Sequence, residues 1–316
     1  MNKFFQRTLI AVAIALPAAS YAQSAQILFD ADGAGGNAAA LIDLLDWKPG
    51  NALAIGGNPS GGLVAGTPTQ LLFQANLGTA DLSGNTVFTA GATGIAGGLN
   101  FTAVAGFKEI VLPTSTATSK DFGFNDAPVL SATNFFYIYA NPTGPVAGTN
   151  LTGLGFAAGT LVMSGHVTKV VSSNYKTDGT TALFDQAGID NYGGLLSLVG
   201  SGATDINVAI DSVNAAYFPG FSLGNLLFSF FNNSQVTPFK QVDPSGQFSI
   251  NGSTNGGTAS NLGTGNGITQ ATTKNFQFQA DANQSFIRIP EPGSLALVGL
   301  ALAGLGFAGR RSAKKA

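Results

Sequence analysis

The chain has 316 residues, 45% of them hydrophobic but only 9% charged, with 43 glycines, no cysteine and one histidine. That composition excludes disulfides and thiolate metal sites, and it favours turns and strands over helices. Six of the 14 basic residues and one of the 16 acidic ones fall in the terminal segments, so the body carries about −7. Such a balance gives no electrostatic footprint for nucleic acid or anionic lipid.

At the start, Lys3 and Arg7 precede a short apolar run, Leu9–Leu16, which Pro17 breaks. Ser20 and Ala22 supply small residues at positions −3 and −1 of a cleavage site. These elements define a signal peptide over residues 1–22, cut after Ala22 with Ala25 as the weaker alternative. The run is too short to span a bilayer. The Sec machinery and signal peptidase are the partners this segment implies.

Residues 23–289 read as one β-rich extracellular domain. Strand-like runs recur, among them residues 70–77, 100–112, 134–140, 160–171, 205–213, 223–231 and 275–289. Phe276-Gln277-Phe278-Gln279-Ala280 alternates with period two, aromatics on one face and amides on the other. Gly, Asn, Pro and Ser clusters separate the runs, the longest at residues 251–267. Two helical turns are expected, over Asn37–Trp47 with Leu41, Leu44 and Leu45 on one side, and over Thr181–Ile189. Many short strands with Gly-rich turns argue for an antiparallel β-sandwich or jelly roll.

Chemistry is sparse along the body. Asp30-x-Asp32-Gly33 has the opening of a calcium loop but lacks its closing Glu, so Asp30 and Asp32 are weak calcium candidates beside the reading as a solvated turn. Gly33-Ala34-Gly35-Gly36-Asn37 lacks the spacing of a phosphate-cradling loop. Asp43 and Asp46 are close in sequence, and Glu109 is the one Glu of the body, but nothing marks a glycosidase pair. His166 lies in a strand-like run with no nucleophile elbow anywhere in the chain, which favours a polar strand face over a triad. No catalytic residue, no cofactor and no firm metal site is expected, and the chain reads as a non-enzyme. Exposed aromatics flanked by amides or Asp would make a sugar site; Trp47, Tyr137, Tyr139, Tyr192 and Tyr217 are the candidates.

The end carries Pro290-Glu291-Pro292, an uncharged stretch from Gly293 to Gly309, and the basic residues Arg310, Arg311, Lys314 and Lys315. As a helix, 17 residues reach about 26 Å, at the short limit for a span. The basic end would stay in the cytoplasm, leaving the body outside the inner membrane. Pro290 and Pro292 keep the preceding peptide extended and open to a processing enzyme. Residues 290–316 in this order resemble the PEP-CTERM sorting domain. That resemblance implies processing by exosortase, a membrane-embedded transpeptidase-like enzyme, with the inner membrane engaged transiently through the C-terminal transmembrane helix.

Four stretches of the body, Ile27–Gly33, Leu45–Leu53, Gly200–Gly202 with the strand and Tyr217-Phe218-Pro219 that follow, and Phe278–Phe286, are similar to flocculation-associated PEP-CTERM proteins. The resemblance implies a surface or matrix protein that associates with exopolysaccharide in flocs or biofilm. The alternative is a lectin-like module with one defined sugar site.

Overall fold

A computed structural model describes residues 25–35, 39–57, 62–91, 99–141, 148–150, 153–187, 196–221, 227–242, 248–250, 253–255 and 275–288. The signal peptide, the sorting tail, Tyr192 and most of the Gly-rich segment 251–267 lie outside these residues. Among the described residues every regular element is a strand.

Eight strands carry the architecture: β3 (Leu44–Ile55), β4 (Pro68–Leu82), β6 (Asn100–Val111), β8 (Phe135–Asn141), β9 (Thr160–Leu183), β10 (Leu196–Val213), β11 (Leu227–Thr237) and β14 (Phe276–Arg288). Each pairs antiparallel with the next in this order, and β14 pairs back onto β3. The hydrogen-bonded ladder therefore closes into an up-and-down barrel. Two shorter strands complete it. β5 (Asn85–Thr89) covers the end of β4 that β6 leaves free. β7 (Ser119–Phe124) fills the gap between β6 and β9 beyond the end of β8. A hairpin of β1 (Ile27–Phe29) and β2 (Ala40–Ile42) sits at one end, and β12 (Phe248–Ile250) pairs with β13 (Ser253–Asn255).

The antiparallel β expectation holds, but the sandwich or jelly roll gives way to a closed ring in which spatial neighbours follow chain order. Closure removes the unpaired edges that two stacked sheets would leave. At eight strands a barrel's interior is just filled by side chains. Inward positions alternate as a pleat requires: Leu71, Phe73, Ala75 and Leu77 on β4, Phe101, Ala103, Ala105 and Phe107 on β6, Phe136, Ile138 and Ala140 on β8, and Phe276, Phe278 and Ala280 on β14.

Both expected helices are corrected. Residues 40–42 and 44–55 are strands, with Trp47 1% exposed inside the barrel. Leu183 ends β9, and Phe184 then packs on Phe239 and Val242 in a small outer core. In both places long-range pairing and burial outweigh a short run's helical period.

A second apolar cluster lies on the outer wall, where Leu53, Leu72, Val104 and Phe135 meet Phe156. Gly106 makes this possible: a Cβ there would lie 2.7 Å from the Phe135 ring and 2.8 Å from Leu72. The described residues 148–150 and 153–159 run across this wall. Asn76 Nδ2 donates to the Gly148 carbonyl at 2.8 Å and its Oδ1 accepts from Gly148 N–H at 3.0 Å. Asn51 donates to the Asn150 carbonyl at 3.1 Å and Thr102 to the Phe156 carbonyl at 2.7 Å. Outward polar side chains thus hold the strap, and removing Thr102 would take the hydrogen-bond donor from the buried Phe156 carbonyl.

Candidate functional site

The aromatics expected to recognise sugar divide by parity. Trp47 and Tyr217 face the core and are buried. Tyr137 and Tyr139 lie on the outer wall of β8 and are half-buried. Their rings continue a ladder that starts at Phe135: Phe135 and Tyr137 stack at 5.4 Å with an 18° tilt, and Tyr137 meets Tyr139 at 6.2 Å.

Beside the ladder, β9 and β10 bring His166 and Asp211 to the same wall. His166 Nδ1 and Asp211 Oδ2 are 2.8 Å apart, and their side chains remain 14% and 31% exposed. Burial first, and the Asp211 charge second, push the Tyr137 hydroxyl above the ordinary tyrosine range, which places Asp211 within electrostatic reach of that ring. Ser164 and Ser212 hydroxyls pair at 2.6 Å on the neighbouring positions. Among the described residues no serine hydroxyl bonds to His166, whose one side-chain hydrogen bond is the one to Asp211. An aromatic face beside a carboxylate and an imidazole can stack on a pyranose ring and bond its hydroxyls. The sequence named the tyrosines but not Asp211, since the β9–β10 register that aligns it with His166 is a tertiary property.

Asp30 and Asp32 form a local turn. Asp30 Oδ2 accepts from Gly35 N–H at 3.2 Å and Asp32 Oδ1 from Ala34 N–H at 2.9 Å. Gly33 (φ +61°) packs so tightly on the Tyr217 ring that a Cβ would lie 2.6 Å from it. Burial and the Asp32 carboxyl raise the Asp30 carboxyl above its ordinary value. Among the described residues no third His, Cys, Asp or Glu joins them as a cation group. Asp43 and Asp46 diverge: Asp43 accepts from Ser83 N–H at 3.1 Å, while desolvation and the charges of Asp281 and Asp81 raise Asp46.

Glu109 lies in phase with the inward stripe Phe101, Ala103, Ala105 and Phe107, and it is 4% exposed inside the barrel. Burial pushes its carboxyl up to about 7, against a hydrogen bond from Ser173 that lowers it. Ser173 and Thr204 hydroxyls are 3.1 Å apart, and Gln235 Nε2 donates to Thr204 Oγ1. That period-two phase from Phe101 to Glu109 was the available signal in the sequence.

The fold and these walls define a closed antiparallel β-barrel with an aromatic outer platform. Among known families, the PEP-CTERM protein-sorting motif matches residues 288–312, a match confined to the C-terminal tail. No curated protein and no solved structure matches the chain. The motif implies exosortase-dependent extracellular sorting from a membrane-anchored precursor. The match begins at Arg288, the residue that ends β14. Among the described residues no helix is long and apolar enough to cross a membrane, and the 293–309 stretch is not among them.

Proposed function

We propose that this chain is an exported, non-catalytic surface or matrix protein that supports flocculation or biofilm formation by associating with exopolysaccharide. The observation that carries the reading is the sorting motif immediately following β14. Sec export and signal-peptidase cleavage after Ala22 would deliver the barrel, and exosortase would act near Pro290-Glu291-Pro292. The basic residues Arg310, Arg311, Lys314 and Lys315 would fix the precursor's orientation. Pro290→Ala combined with Glu291→Ala is expected to leave export intact and strand the precursor in the inner membrane. Mass spectrometry of both protein termini in membrane, surface and medium fractions reads this directly; normal surface delivery of the variant would defeat the reading.

The outer platform favours a second, sharper reading, a lectin-like module with one sugar site. Asn51, Gln74, Gln277 and Gln279 are buried, and Asn51 and Gln279 bond to backbone groups of overlying segments. Tyr137, Tyr139, His166 and Asp211 remain partly open. One stacking ring contributes about 1 kcal/mol, so Tyr137→Ala or Tyr139→Ala should each weaken glycan binding about five- to tenfold. A glycan array with both variants checks it: binding unchanged in both would place recognition elsewhere.

A further inference from the structure

Two β-bulges flank the Tyr137–Tyr139 ladder. Across β8 and β9 the register runs Ile138↔Met163 and then Tyr139↔Leu161. Val162 is therefore the extra residue; it is buried in the core with Met163, and Leu161 is exposed beside Tyr139. Across β9 and β10 the register runs Gly165↔Ile210 and then Ser164↔Ser212, so Asp211 is the extra residue. Ser164 is also the partner of Tyr137. The second bulge thus sets Asp211 beside the row that carries the Tyr137 ring, and re-aiming a side chain is what such a bulge does.

No basic side chain balances this carboxylate for a ligand. Asp211 Oδ2 accepts from His166 Nδ1–H at 2.8 Å, and among the described residues Asp211 makes no second hydrogen bond. Neither the segment 141–159 nor the segment 212–221 contains a charged residue. On β6, Lys108 lies four positions from Val104, the partner of Tyr137; on β9, Lys169 lies five positions from Ser164. At about 3.3 Å per residue these are about 13 and 17 Å along the strands, beyond a screening length of about 8–10 Å. A uronate or sulfate placed here would meet a like charge and the negative faces of the rings.

We propose that the platform takes amino sugars whose nitrogen is a free ammonium, in preference to N-acetylated or acidic ones. This names the ligand class of the lectin-like reading and rests on that reading. The sugar ring lies on Tyr137 and Tyr139, and its ammonium donates to Asp211. Such a charge-assisted bond is roughly twice as strong as a neutral one, and the ring faces attract the same positive charge. Acetylation removes the charge and with it both effects.

Titration calorimetry of the full chain with glucosamine and N-acetylglucosamine oligosaccharides of equal length tests it, at about pH 6, where a sugar amine is protonated and a uronate is ionised. The free-amine oligosaccharide should bind about tenfold more tightly. In Asp211→Asn the two affinities should converge. His166→Gln, which can still donate to the carboxylate but never carries a charge, should keep the preference. Galacturonate oligosaccharides should not compete. Equal affinities in the wild type, a preference that survives Asp211→Asn, or competition by galacturonate would overturn the proposal; if Tyr137→Ala still weakened binding in those cases, the lectin-like reading would stand without it. Binding of neither oligosaccharide would also overturn the proposal, and the glycan array would then decide the lectin-like reading by itself.

Discussion

At pH 8, Glu109→Gln should stabilise the folded chain by about 3 kcal/mol, and at pH 4 it should change stability little. Burial holds the folded carboxyl at about 7, above the 4.5 of an exposed glutamate. The folded state therefore binds this proton more tightly than the unfolded state does. Its contribution to stability is full below about pH 4.5 and declines as pH rises through 7, beyond which the buried anion carries the whole cost. An amide of the same shape has no such dependence. Urea unfolding across pH 4 to 8 measures both proteins. A wild-type profile without that decline, or a Gln variant that follows the same profile, would show that Glu109 is solvated in the folded state.

Phe101→Ala should cost about 4 kcal/mol, the upper part of the range for a large core truncation. Phe101 sits near the tail end of the barrel and meets Phe29 at 5.2 Å, Phe88 at 5.8 Å and Tyr217 at 6.1 Å. These partners come from the N-terminal hairpin, from β5 and from the turn after β10, so one ring ties three separate covers to the barrel. Packing on three sides leaves the site little freedom to collapse, which is the condition for the largest cavity penalty. Val87→Ala, on the solvent side of β5, is the control and should change stability by less than about 0.5 kcal/mol. Urea midpoints with unchanged slopes would separate loss of stability from a change in the unfolded state. A Phe101→Ala penalty as small as the control's would mean that the aromatic cluster does not fasten these elements.

The same covers explain a division of labour along the barrel. The aromatic plug lies toward the Arg288 end of β14, the buried Glu109 with Ser173 and Thr204 lies at the far end, and the Tyr137–Tyr139 ladder lies on the wall between β6 and β9.

The sequence by itself determined the β class and the sorting signal. Both depend on order along the chain: period-two runs such as Phe276–Ala280 mark pleated strands whatever they pair with, and Pro290-Glu291-Pro292 with its apolar and basic sequel is read locally. Only the tertiary structure decided closure, because whether β14 returns to β3 depends on residues more than 220 positions apart. It also overruled the helix over Asn37–Trp47, where Leu41, Leu44 and Leu45 suit either period until β4 and β14 pair with the segment. It sent one set of amides to hold the outer strap and Glu109 inward, a choice that burial makes and composition cannot show. It also joined Asp211 to His166, since a strand's register sets which side chains share a wall, and register is fixed by the whole barrel.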